Sequence, residues 1–467
     1  MMKSTTIYPE RNMEISELYR LFQKHPLVTT DTRDCPEGSI FFALRGANFD
    51  GNLFASKALE SGCAYAVVDN PDVATDERMI VVEDVLATLQ HLAAHHRRVL
   101  GTPIVQITGT NGKTTTKELT SAVLARQYSV LATAGNFNNH IGVPKTLLRL
   151  TAMHDIAVVE TGANHPGEIA QLTDIVDPDC GLITNVGKAH LEGFGSFEGV
   201  IRTKSELYDY LRGKQCADAA VQDGETEPEG EVSPAASFVF LHADDAILAE
   251  RSAGLPAVTY GEEGHGYDVE GSVVACNPFL RLRWRVKDGE WHEVQTQLIG
   301  DYNLANVLAA CAVGQHFGVG ETDISAALEA YSPSNSRSEF RRTAHNRLVV
   351  DAYNANVSSM HAALGNFSAI EDGGKMMILG EMRELGEASV AAHREIAAHA
   401  ARTGIVALWL VGEAFRDAVP EDFTGELRHF PDVAAVKDYL RAHPVTDRLI
   451  LVKGSNGTRL FELPEYL

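Results

Sequence analysis

The stretch Gly109-Thr110-Asn111-Gly112-Lys113-Thr114-Thr115-Thr116 decides how this chain is read. It follows the apolar run Ile104-Val105-Gln106-Ile107-Thr108 and precedes a helix-like segment, Lys117 to Tyr128. A strand, a glycine turn holding Lys and Thr, then a helix is the setting of a phosphate-binding loop. Glycines let backbone N–H groups crowd round a phosphate, and the helix N-terminus adds partial positive charge. Lys113 supplies a point charge for the outer phosphates, and Thr114 a hydroxyl for Mg²⁺. The usual spacing places a glycine five residues before the Gly-Lys pair, where this chain has Ile107, so the loop is a short form. An ordinary strand-to-helix turn is the competing reading. Gly-Lys-Thr at the junction favours a nucleoside triphosphate.

Composition narrows the class of protein. A chain of 467 residues has room for about three domains of ordinary size. Hydrophobic residues at 45% and charged residues at 22% fit a soluble globular protein. Forty basic against 63 acidic residues leave a net charge of −23, which argues against nucleic-acid binding and against a basic membrane patch. An anionic substrate must then be met by local Lys, Arg and metal ions. Cys35, Cys63, Cys180, Cys216, Cys276 and Cys311 are dispersed without a Cys-x-x-Cys pair, as in a protein that keeps its thiols reduced. With no apolar leader and no apolar run long enough for a bilayer, the expectation is a cytoplasmic enzyme.

Outward from the loop, the chain reads as α/β throughout. N-terminal to it, Glu14 to His25 and Val85 to Val99 read as helices, while Ser39–Leu44 and Tyr65–Val68 read as strands. Gly101-Thr102-Pro103 marks a boundary. The next block has buried-type strands at Ile104–Thr108, Ile156–Glu160 and Gly181–Thr184, with helical patterns between them, which predicts a mainly parallel sheet. Lys214 to Ser237 is acidic and contains Pro and Gly, so it reads as a solvated loop; Asn303 to Gly314 reads as a helix. A second break falls at Tyr331–Ser336. Strands at Leu348–Val350, Met376–Leu379, Ala407–Val411 and Leu449–Val452 then form a third, Rossmann-like unit. The expected domains are residues 1–100, 101–333 and 334–467.

Ligands of open parallel sheets sit beyond the carboxyl ends of the strands. Glu160 ends one strand, His190 follows another, and Lys204 lies in the helical stretch after it. A carboxylate and an imidazole near a phosphate loop suit Mg²⁺, although either residue alone reads as an ordinary surface group. Asn136, Asn138 and Asn139 stand in a turn-rich segment whose amides also suit a ligand.

These residues resemble the Mur ligase superfamily, ATP-dependent enzymes that build the peptide of bacterial peptidoglycan. The resemblance covers the whole chain. It is carried by Thr108–Thr115, the Glu160 strand and Asn185–His190. Thr161–Ile169, Asn185–Gly195 and Asp351–Met360 look like the branch that adds D-alanyl-D-alanine. Asp31-Thr32-Arg33, Arg45-Gly46 and Phe49-Asp50-Gly51-Asn52 resemble the N-terminal region that holds a uridine nucleotide, and Lys453-Gly454-Ser455-Asn456 resembles a C-terminal motif. Thr161, Val357, Asn52 and Thr32 depart from the commoner Met, Pro, His and Ser. An Asp-Asn-Pro-Arg string, usual where a diamino acid is added, does not occur.

The resemblance implies an N-terminal UDP-binding domain, a central ATPase domain and a C-terminal Rossmann-like domain. It implies an enzyme that joins D-alanyl-D-alanine to UDP-N-acetylmuramoyl-tripeptide with ATP and Mg²⁺; for its assembly, a monomer is the expectation. The tripeptide carboxylate would attack the γ-phosphate of ATP, giving an acyl phosphate and releasing ADP. The amine of the dipeptide then attacks the acyl carbon, and phosphate leaves. Gly109, Thr110, Asn111, Gly112, Lys113, Thr114 and Thr115 would hold ATP, together with Asn303, Asn306, Arg337 and Asp351. Thr114, Glu160, His190 and Lys204 would hold metal, Lys204 as a carbamate. Lys113, Glu160, His190 and Lys204 are the catalytic candidates. Thr32, Arg33, Arg45, Asp50, Asn138, Asn139, Asn164, Asn354 and Asn356 are the substrate candidates. The Tyr331–Ser336 break would be a hinge for domain closure. The rival functions are a Mur-type ligase adding one amino acid, a folylpolyglutamate synthase, and a regulatory P-loop NTPase. The chain lacks the Asn-Lys-x-Asp motif usual in GTPases of the last class.

Overall fold

The computed structural model describes residues 13–222, 237–333, 337–420 and 423–467. Among the described residues there are three larger sheets, each with helices, and a separate two-stranded pairing of Arg45–Gly46 with Phe49–Asp50. The first sheet is parallel, in the order Val28–Thr29, Ile40–Phe42, Tyr65–Val68, Met79–Val81. Helix Val85–Leu100 shares a buried apolar cluster with this sheet, and its ends are defined locally. Asp84 accepts a hydrogen bond from the Ala87 N–H at 2.8 Å, and Gly101 closes the helix at φ 64°. Its apolar face, Val85, Leu89, Leu92 and Ala93, is buried with Leu18 and Phe22 of helix Ile15–Lys24.

The second sheet has nine strands. Its order is His292–Ile299, Phe279–Val286, Val269–Cys276, Ala257–Glu262, Phe238–His242, Cys180–Ile183, Ile104–Thr108, Ile156–Glu160, Val130–Ala132. Pairing is parallel from Cys180–Ile183 to Val269–Cys276, and the last two pairings at the far end are antiparallel. The sheet is therefore mainly parallel, as expected. The antiparallel strands, which alternate buried and exposed residues, were not anticipated. The third sheet runs Glu339–Arg342, Arg347–Asp351, Leu449–Lys453, Lys375–Gly380, Ala407–Val411, Glu426–Phe430. Its first pair is antiparallel and the others are parallel.

By its contacts the chain divides into two compact units. One comprises Met1–Gln106, Ser129–Thr161 and Gln171–Pro178; the other comprises Ile107–Tyr128, Gly162–Ala170 and Asp179–Leu467.

Two sequence expectations need correction. The helix after the glycine loop spans Lys113–Leu124, not Lys117 to Tyr128. Gly112 takes φ 80° and the three threonines form the first turn, with the Thr116 N–H donating to Gly112 O at 2.8 Å; burial of Thr114 and Thr116 outweighs their modest helix propensity. Residues from Lys214 are likewise helical, because helix Phe197–Gln222 continues through Ala217, Ala219 and Ala220 well before Pro228. The rest of that acidic stretch up to 236, and residues 334–336 of the expected hinge, lie outside the described residues. No described helix is long and apolar enough to cross a membrane.

Candidate active site

The glycine loop leaves strand Ile104–Thr108 and enters helix Lys113–Leu124. Gly109 has φ 139°, and a Cβ there would lie 2.1 Å from Thr184 Oγ1. Gly112 has φ 80°, and a Cβ there would lie 2.4 Å from Asn306 Oδ1. Both positions therefore require glycine for conformation and for space. No side chain caps the helix start, which leaves its first amides oriented as an anion site requires. Lys113 Nζ folds back on the loop, donating to Gly109 O and Thr110 O at 2.9 Å each. Thr114 is buried and Thr115 half-buried in the first turn.

The segment after strand Cys180–Ile183 clamps this loop. Thr184 Oγ1 donates to Asn111 O at 2.6 Å. The Thr110 N–H donates to Asn185 O at 3.0 Å, and Asn185 Oδ1 accepts from the Asn111 N–H at 3.1 Å. On the other side, Asn356 Nδ2 donates to Asn111 Oδ1 at 2.8 Å. Asn356 also caps helix Val357–Ala369 through a reciprocal box with Ser359. One asparagine of the loop thus meets two segments distant in sequence.

Lys204, on helix Phe197–Gln222, is 2% exposed, and its Nζ donates to Ala163 O at 3.2 Å. Burial, reinforced by Lys113, pulls its pKa from 10.5 down to about 7, against the opposing pull of Glu168 and Glu206. A large share of this amine is therefore uncharged near neutrality. Lys204 Nζ lies 5.4 Å from the Phe194 ring centre, and the His190 ring meets the same phenyl edge-on at 6.2 Å. His190 is held below its ordinary pKa chiefly by burial, with Lys113 and Lys204 acting the same way and Glu384 opposing. Its Nδ1 is hydrogen-bonded to the Glu384 carboxylate.

Glu160 is 1% exposed at the end of its strand, where its Oε1 accepts from Asn138 Nδ2 at 2.8 Å. Among the described residues no three His, Cys, Asp or Glu side chains converge closely enough to hold a metal unaided.

The chain is similar to known proteins over most of its length. Three family models match: the Mur ligase family catalytic domain over residues 26–97, the Mur ligase middle domain over 107–227, and the Mur ligase glutamate ligase domain over 336–456. A Bacillus subtilis protein named UDP-N-acetylmuramoyl-tripeptide--D-alanyl-D-alanine ligase is 32% identical, across 93% of this chain and 92% of its own length. This chain belongs to the Mur ligase family.

The Escherichia coli Mur ligase of the same name is 34% identical, with 93% and 92% covered. Among solved structures, MurF from Acinetobacter baumannii superposes with a TM-score of 0.79 at 30% identity, covering 94% of this chain and 92% of that one.

The other expected residues of this Mur ligase fall as follows. Asn303 and Asn306 are buried: Asn306 Nδ2 donates to Asn303 Oδ1 at 2.8 Å, and Thr116 Oγ1 donates to Asn306 Oδ1 at 3.0 Å. Arg337 stacks over Tyr353 at 3.9 Å, and Asp351 pairs with Lys453 at 2.5 Å. Asn354 Oδ1 accepts from the Ala355 N–H at 2.9 Å. Asn139 turns its oxygen to the amides of Ile141 and Gly142, and Asn164 pairs with His165 Nδ1 at 2.9 Å.

In the N-terminal layer, Arg45 bridges Asp69 at 2.8 Å and Asp50 at 3.6 Å. Buried Asn52 donates to both carboxylates and accepts from the amides of Asp69 and Asn70. Arg33 is exposed and paired with Asp31 at 2.6 Å, and Thr32 is half-buried beside it.

Sequence reasoning passed over Glu384 and Thr184. Glu384 had a usable signal, because it follows the carboxyl end of parallel strand Lys375–Gly380.

Proposed function

We propose that this chain is an ATP-dependent ligase that joins D-alanyl-D-alanine to UDP-N-acetylmuramoyl-tripeptide. The observation that carries the reading is the clamped glycine loop, with Asn111 bound by both Asn185 and Asn356, in a chain whose relatives of that name align over nearly its whole length. A carboxylate is a poor electrophile, so amide formation needs a leaving group placed on it first. Phosphoryl transfer from ATP supplies one. Asn303, Asn306, Arg337 and Asp351 complete the nucleotide contacts, and Thr32, Arg33, Arg45, Asp50, Asn138, Asn139, Asn164, Asn354 and Asn356 are the substrate contacts. Domain boundaries near residues 100 and 333 belong to this reading.

Carboxylate and triphosphate repel each other, so the site must supply positive charge. Lys113 supplies one charge. The donor set of Thr114, Glu160, His190 and Lys204 fits Mg²⁺, provided Lys204 reacts with CO₂ to give a carbamate and a proton. An ammonium there would repel the cation; a carbamate offers it oxygen. The depressed basicity of buried Lys204 provides the free amine that reaction consumes. Bound Mg²⁺ would neutralise phosphate charge as the γ-phosphoryl group moves. Six free cysteines suit a cytoplasmic location, where ATP is also plentiful, and we take the working form to be a monomer.

The test is an acceptor screen with UDP-N-acetylmuramoyl-tripeptide and ATP, reading ADP release. D-alanyl-D-alanine should release ADP well above any single amino acid. Equal release with a single amino acid, or release without either substrate, would overturn the assignment.

A further inference from the structure

Glu384 belongs to none of the motifs read from the sequence, yet its carboxylate accepts the hydrogen bond of His190 Nδ1. The two residues lie 194 positions apart. The pair is half-exposed, with side-chain exposures of 31% for His190 and 51% for Glu384, so as an ion pair it contributes little to stability.

Its geometry is nonetheless built. His190 stands at φ 50° and Glu384 at φ 63°, both non-glycine residues in the left-handed region. Such conformations persist only where the surroundings enforce them. On the Glu384 side, the Met382 N–H donates to Nε2 of fully buried His393 at 2.9 Å. The Arg383 N–H donates to Ser455 Oγ at 3.2 Å, and the Ser455 N–H donates to Glu381 O at 3.3 Å. The loop is thereby tied to the strand end that carries Lys453. On the His190 side, the Phe194 ring stands edge-on to the imidazole at 81°.

A carboxylate only accepts hydrogen bonds, so Nδ1 carries the proton of the neutral imidazole. The Nε2 lone pair is then free for a cation. We propose that Glu384 is a positioning residue that fixes the tautomer and ring orientation of His190 for a divalent cation. Metal-bound histidines almost always donate their other ring N–H to an acceptor, which can be a carboxylate, a backbone carbonyl or a water. Here the partner comes from the third sheet's loop, so the metal site is finished by the C-terminal layer. The inference rests on the reading of His190 as a metal ligand.

Mn²⁺ binding to the full-length protein, followed by electron paramagnetic resonance, tests it without turnover. Glu384→Leu should weaken Mn²⁺ binding about 10- to 100-fold. Glu384→Gln should weaken it less, because an amide oxygen still accepts from Nδ1–H. Melting temperatures of both variants should stay near wild type, and in activity assays the Mg²⁺ requirement should rise while saturating Mg²⁺ recovers most of kcat. Unchanged Mn²⁺ affinity in Glu384→Leu, with binding weakened in His190→Ala, overturns the role of Glu384 alone. Unchanged affinity in His190→Ala as well overturns the ligand reading beneath it.

Discussion

Gly109→Ala should disable the nucleotide loop, and the structure gives the size of the effect. At φ 139° a side chain is strained by about 1–3 kcal/mol. The new Cβ would also lie 2.1 Å from Thr184 Oγ1. That hydroxyl donates to Asn111 O at 2.6 Å and reaches Thr108 O at 3.3 Å, so displacing it forfeits about 1 kcal/mol per bond. Together the terms come to about 3–5 kcal/mol, or at least about a hundredfold in ATP affinity if the loop yields instead of the fold. Calorimetric ATP titration and thermal melts would read both outcomes.

The diagnostic control is Thr184→Ala, which removes the colliding oxygen. In that background Gly109→Ala should cost mainly the backbone term, leaving a coupling of about 1–2 kcal/mol in the double-mutant cycle. Wild-type ATP binding by Gly109→Ala, or strictly additive losses in the cycle, would refute the reasoning.

Three further predictions concern other parts of the molecule. Lys204 has a folded pKa of about 7 against 10.5 when free, so the folded chain binds fewer protons between those values and stability rises with pH through that window; below pH 7 the full cost of burying the charge is present. In CO₂-free buffer, wild type should gain about 2 kcal/mol over Lys204→Met from pH 7 to pH 9 in denaturant titrations, and a flat difference would exclude the depressed pKa. Asn356→Ala should cost about 1 kcal/mol through the lost cap and weaken ATP binding, whereas Asn356→Asp should keep the cap but lose the donor to Asn111, so only nucleotide titration would report it. Asn52→Ala should cost about 2–3 kcal/mol by leaving buried partners unpaired, and should raise KM for the uridine substrate more than it lowers kcat; an unchanged KM would detach this network from the substrate region.

Local chemistry made much of this protein legible in its sequence. Strand Ile104–Thr108, the positive-φ glycines and the Lys-Thr pair announce a phosphate loop because backbone reach and charge act within a few residues. Continuous apolar runs revealed buried parallel strands such as Ala407–Val411, all five residues of which are buried. Edge strands Glu339–Arg342 and Glu426–Phe430 escaped notice because half their neighbours are solvent and their patterns are mixed. The helix start at Lys113 escaped because burial of threonines, a tertiary effect, overrode propensity.

Which side chains meet was decided only by folding. Asn111 finds Asn356 across 245 positions and His190 finds Glu384 across 194. No local preference encodes such pairings; they follow from loops delivered by separate sheets. The basicity of Lys204 is likewise absent from the sequence, since it is set by the apolar surroundings and by Lys113, which only the folded chain brings near.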